Sequence, residues 1–139
     1  MYLCQKRSDM KRFFKKSVML FVGVVSLLFG CQHKNAYKTV ETQEFATLIS
    51  SPDVQLVDVR TKAEFDDFHI EGAINIDVKS ADFTDKALQI LNKEKTVAVY
   101  CRTGVRSANA ASMLSSKGFK VVNLSGGITK WQSDGFSVN

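Results

Sequence analysis

Thr96-Val97-Ala98-Val99-Tyr100-Cys101-Arg102-Thr103-Gly104-Val105-Arg106-Ser107 decides the architecture, because an apolar run passes within one residue into a short polar loop and then into helical spacing. Val97-Ala98-Val99, like Leu56-Val57, lacks the alternation of a half-exposed strand and reads as a strand covered on both faces. Further β-rich runs fall at 37–40, 55–59, 73–76 and 121–124. Helical spacing falls at 42–49, 62–68, 84–91 and 107–117, with a last helix at 128–132. Helices between strands are the crossovers that parallel pairing requires. The chain is therefore expected to be an α/β domain, with a parallel central sheet of about five strands and helices on both faces. Gly118, directly after the helix that follows the decisive stretch, is placed to end it, with Phe119 packing back.

Position makes the segment from Cys101 to Ser107 the first candidate site, since ligands of open parallel sheets bind at the carboxyl ends of strands. A tight loop feeding a helix points several backbone N–H groups into one concavity, and the helix dipole adds positive character. In such a concavity the Cys101 thiol is expected to be acidic and nucleophilic, with Arg102 and Arg106 reinforcing the effect. Gly104 allows the backbone to turn there. The competing reading, a small buried cysteine at a strand end, sits poorly with two arginines and a glycine within five residues.

The chain of 139 residues, 45% hydrophobic and 24% charged, has room for one folded domain and is not of disordered composition. Its net charge of +5 is local. Six of the 19 Lys and Arg residues and only Asp9 of the 14 acids precede residue 32, which leaves thirteen of each sign in the body. A nucleic-acid footprint is thereby excluded from the expectation. The N-terminal charges (Lys11, Arg12, Lys15, Lys16) precede an apolar stretch at 17–29 and then Gly30-Cys31. That is the layout of a secretory signal, and it is shorter than the roughly 20 residues of a spanning helix.

Leu28-Phe29-Gly30-Cys31 resembles the lipobox of bacterial lipoproteins. The expectation is a signal peptide over 1–30 with its start at Met10, a tether over 31–36 lipidated on Cys31, and a folded domain over 37–139. Gln32 after Cys31 favours the outer over the inner membrane, on the periplasmic side of a cell envelope. Of the three cysteines, Cys4 precedes the mature chain, Cys31 would be acylated, and Cys101 alone remains in the domain. No CxxC or Cys/His cluster calls for a metal.

Three separated motifs, in order, resemble the rhodanese (thiosulfate sulfurtransferase homology) family. They are Asp58-Val59-Arg60 with Glu64-Phe65 and His69-Ile70-Glu71-Gly72-Ala73-Ile74-Asn75-Ile76; then the loop from Cys101 to Ser107; then Leu124-Ser125-Gly126-Gly127-Ile128 with Trp131. The resemblance covers nearly all of 37–136, with Phe68 standing where the family often has glycine, and Glu71 and Asp77 where it often has proline. It implies a double displacement without metal or organic cofactor. Cys101 would take a sulfane sulfur from a donor such as thiosulfate, and the persulfide would pass it to a thiol or other thiophilic acceptor. Arg102, Thr103, Gly104, Val105, Arg106 and Ser107 would form the anion cradle, with Asp58 and Arg60 as supports of the loop or as an ordinary ion pair.

The spacing Cys-x4-Arg is one residue shorter than the Cys-x5-Arg of cysteine-dependent phosphatases, which favours sulfur over a phosphatase or arsenate reductase. A non-catalytic sulfur-binding or interaction module is the remaining alternative. His69 reads as a structural hydrogen-bonding residue, Glu64 with Asp66 and Asp67 as a solvated helix face, Gly126-Gly127 as a tight turn, and Trp131 as core.

Overall fold

The computed structural model describes residues 37–139. The expected signal peptide and tether, with Cys4 and the lipidation residue Cys31, lie outside the described residues.

Among the described residues, the strands β1 (Lys38–Val40), β2 (Val54–Asp58), β3 (Ile74–Asn75), β4 (Thr96–Tyr100) and β5 (Val121–Leu124) alternate with five helices. These are α1 (Thr42–Ile49), α2 (Lys62–Asp67), α3 (Phe83–Ile90), α4 (Val105–Ser116) and α5 (Gly127–Ser133). All four strand pairings are parallel, in the order β1-β5-β4-β2-β3. The expected α/β architecture is what forms. The third strand is shorter than the sequence run at 73–76, because it is an edge strand with a single neighbour.

Both faces of the sheet are covered, which is why its central strands carry no polar alternation. Val57, Val97, Val99 and Val121 point to one face and meet Phe83 and Ala87 of α3 and Ala110, Ala111 and Leu114 of α4. Leu56, Ala98, Tyr100, Val122 and Leu124 point to the other and meet Phe45 of α1 and Ile128 and Trp131 of α5. Each such fully buried aliphatic side chain contributes about 1.5–3 kcal/mol. Helix α4 ends as expected: the N–H of Gly118 donates to the Ser115 carbonyl (3.0 Å) and that of Phe119 to Leu114 (3.2 Å).

The connections fix where a site can form. From β4 the chain moves to β5 on one side, whereas from β2 it moves to β3 on the other. The carboxyl ends of β2 and β4 therefore open the crevice where ligands of such sheets bind. Cys101 follows β4 at that crevice, and residues 59–61 follow β2.

Candidate active site

Residues 101–104 form the loop between β4 and α4. Gly104, the N-cap of the helix, has φ of 93°, in the left-handed region that disfavours side chains. A side chain there would also meet the Leu124 carbonyl at 3.2 Å and the Gly126 amide at 3.3 Å. This turn starts α4 at Val105, two residues before the expected Ser107. Ser107 thus lies in the first turn, with its side chain directed back into the loop.

Cys101 is only 1% exposed, and its stem belongs to the apolar cluster beneath α3 and α4. Its sulfur faces polar groups. Sγ accepts from the Gly104 amide (3.1 Å) and lies 3.4 Å from the Ser107 hydroxyl. Burial alone would push the thiol up, but hydrogen bonds from the Ser107 hydroxyl and from the amides of Ser107, Thr103 and Gly104 outweigh it, so the thiol is more acidic than an ordinary cysteine. Burial and acidity coexist because the donors are backbone groups already fixed by the helix start.

The two loop arginines are not equivalent. Arg106 makes a bidentate pair with Glu64 of α2, Nη1 to Oε2 and Nη2 to Oε1, both 2.8 Å. Arg102, with its side chain 62% exposed, has only a 3.4 Å approach of Nε to the same carboxylate. Glu64 also completes the capping box of α2, its carboxylate accepting from the Thr61 amide (3.2 Å) and hydroxyl (3.0 Å). The Arg106 guanidinium, with the Thr61 donors, holds the Glu64 carboxyl well below the usual carboxylate range despite its partial burial. Glu64 is therefore not part of a solvated charged face, as its neighbours in sequence suggested, but the link between α2 and the loop. Arg106 also senses the charge of Cys101, while two of its five N–H donors go to Glu64.

Asp58 and Arg60 lie at the end of β2, both completely buried. Arg60 Nη2 donates to Asp58 Oδ2 (2.7 Å) and to the Phe68 carbonyl (2.6 Å), and its Nε to both carboxylate oxygens (3.0 Å). The guanidinium lies over the rings of Phe68 and Tyr100. Asn75 Nδ2 donates to the carbonyls of Asp58 (3.1 Å) and Arg60 (2.9 Å), and the Val59 amide to that of Tyr100 (3.0 Å). The pair thus fixes the strand end beside Cys101 without touching the sulfur.

The glycine pair read as a tight turn has a larger part. The amides of Ile128 and Thr129, in the first turn of α5, donate to the carbonyls of Cys101 (2.8 Å) and Arg102 (3.1 Å). At Gly127, with φ of 60°, a Cβ would stand 2.5 Å from both carbonyl oxygens. Only glycine lets α5 grip the loop from behind and leave its amides facing the sulfur. His69 Nδ1 contacts the Phe65 carbonyl at 2.9 Å and its ring stacks on Phe65, while Trp131 is core and its Nε1 donates to the Ser137 carbonyl. Thr103 and Val105 are exposed at the mouth of the loop. Among the described residues, no group of three or more His, Cys, Asp or Glu is placed to hold a metal.

The Rhodanese-like domain family matches residues 41–134, which includes every residue of this site. The chain belongs to the rhodanese-like domain family. It is similar to the thiosulfate sulfurtransferase GlpE of Coxiella burnetii, 33% identical over 99 residues that cover 70% of this chain and 89% of that protein. It is also similar to the tRNA uridine(34) hydroxylase of Nitrobacter winogradskyi, 41% identical over 96 residues that cover 66% of this chain. The match spans only 38% of that hydroxylase's length. Among solved structures, a rhodanese-related protein of Thermoplasma volcanium superposes with a TM-score of 0.66 at 31% identity, over 74% of this chain and 98% of that one.

Proposed function

We propose that this rhodanese-like domain is a sulfurtransferase that carries a sulfane sulfur on Cys101. The observation that carries the reading is the acidic Sγ held by the loop, with the Gly104 amide at 3.1 Å. In the first half-reaction the thiolate attacks the outer sulfur of a donor such as thiosulfate. The new S–S bond forms as the donor's S–S bond breaks, and that electron pair leaves on sulfite. In the second, a nucleophilic acceptor, cyanide or a thiolate, bonds to the outer sulfur and the pair returns to Cys101. Loop amides aimed at the carried anion cost no reorganisation when charge moves onto the outer sulfur.

The Glu64–Arg106 pair argues against a phosphatase or arsenate reductase reading. An oxyanion there would share Arg106 with the Glu64 carboxylate, which already neutralises its charge, in a loop one residue shorter than such enzymes use. Thiocyanate release from thiosulfate and cyanide tests the proposal: the native chain turns over and Cys101→Ser does not. Equal rates in both proteins would overturn it, and aryl phosphate turnover that depends on Cys101 would favour the other chemistry.

We also propose, from the N-terminal sequence, that the domain resides in a bacterial cell envelope, on the periplasmic side and held by lipid on Cys31, with Gln32 favouring the outer membrane. The support is the charged, apolar and Gly-Cys order at 11–31. The intact mass of the mature protein checks it.

A further inference from the structure

The hydroxyl of Ser107 has one proton and two neighbours able to accept it. Its Oγ lies 3.4 Å from Cys101 Sγ and 3.2 Å from the Gly104 carbonyl, on a side chain with no exposure to solvent. The Gly104 carbonyl is already satisfied, since the Ala108 amide donates to it at 3.0 Å. Turning the hydroxyl towards sulfur therefore strands no buried acceptor, and turning it back strands no donor. The Gly104 amide, fixed in the backbone, has no such freedom.

The geometry points to Ser107 as a catalytic residue whose hydroxyl follows the charge on Cys101, donating to Sγ when the sulfur is anionic and to the Gly104 carbonyl when it is not. This rests on the sulfur-carrier reading above. In the persulfide the charge sits on the outer sulfur, and Sγ becomes a neutral divalent sulfur, a weak acceptor. The hydroxyl then stabilises the empty thiolate more than the loaded state. During discharge the S–S pair returns to Sγ, and the hydroxyl's bond to it strengthens as that charge develops. Ser107 thus favours delivery of sulfur over its retention. Arg106 on α4, which senses the charge of Cys101, and the charged groups around it, Glu64 on α2 with its Arg102 contact and Asp77 beyond β3, are untouched by a change at Ser107.

Two measurements on the full chain test this, both read on the Cys101 peptide by mass so that Cys4 and Cys31 do not interfere. The first is the pH midpoint of Cys101 alkylation by iodoacetamide. Ser107→Ala raises it by about one pH unit, a tenfold loss of thiolate at a pH below both midpoints. The second is the ratio of persulfidated to free Cys101 in a fixed thiosulfate–sulfite mixture at a pH above both midpoints. Ser107→Ala raises it about tenfold, while discharge to cyanide slows.

Ser107→Thr and Ser107→Val have the same shape and differ in the hydroxyl, so they carry the test should Ser107→Ala fail to fold. Threonine keeps the native midpoint and valine raises it. A midpoint unmoved in Ser107→Ala, or moved equally by threonine and valine, would overturn the assignment. A moved midpoint with no sulfur ever gained would keep the hydroxyl's hold on the thiolate and remove the sulfur-carrier reading. Sulfur gained with an unmoved midpoint would do the reverse.

Discussion

Two arginine–carboxylate pairs stand at the same end of the sheet, and their surroundings give them different work. Asp58 and Arg60 are sealed, with both side chains fully buried, the guanidinium over two aromatic rings and bound to a backbone carbonyl. Glu64 and Arg106 have equally good bidentate geometry but sit at the rim, 20% and 24% exposed. A buried ion pair whose desolvation is already offset by its partner becomes indispensable, because removing one member strands the other. A rim pair shares its field with water and is worth less to the fold. The first pair holds the β2 end that abuts Cys101; the second decides how much positive charge the loop presents.

The sharpest way to break that contrast is to remove one member of the sealed pair. Arg60→Met leaves Asp58 buried without a counter-charge and is expected to cost about 3–5 kcal/mol in urea unfolding. Replacing both, Asp58→Leu with Arg60→Met, is expected to recover most of that loss; a double variant no better than the single one would contradict the sealed-pair account. Next in size is the clamp behind the loop. Gly127→Ala combines left-handed backbone with a Cβ 2.5 Å from two carbonyl oxygens. It is expected to cost about 2 kcal/mol and to slow Cys101 alkylation in protein that remains folded.

At the rim, Glu64→Gln is expected to cost about 1–2 kcal/mol at neutral pH. Because folding holds the Glu64 carboxyl below its unfolded value, its contribution is complete above about pH 4.3 and fades as pH falls further, towards the folded value. The stability gap between native and variant chains should therefore close in acid; a gap constant with pH would contradict it. The smallest effect belongs to Arg102→Ala, expected within about 0.5 kcal/mol of the native chain because its single ion pair is long and exposed. A larger loss would show that Arg102, too, is structural.

The sequence disclosed the sheet because Val97-Ala98-Val99 and Leu56-Val57 are apolar on both sides, which only a doubly covered strand requires. It disclosed the loop because cysteine, glycine and arginine lie within six residues. Glu64 was hidden: its partner Arg106 is 42 residues away, and its acidic neighbours Asp66 and Asp67 are exposed. Gly127 was hidden for the same reason, since a glycine's turn is local but the carbonyls it admits come from another loop. The depth of the Asp58–Arg60 pair was equally illegible, because charge is written in the sequence and burial is not. The helix begins at Val105 rather than at Ser107 because Gly104 takes the left-handed position.

The central claim is that Cys101, buried by its stem and made more acidic by its loop, accepts one sulfur atom. The direct measurement is the mass of the Cys101 peptide from the full chain after thiosulfate, alkylated without reductant. The account predicts a gain of one sulfur on that peptide, reversed by cyanide with release of thiocyanate. A Cys101 peptide that keeps its mass under excess donor, from protein shown to be folded, would contradict it.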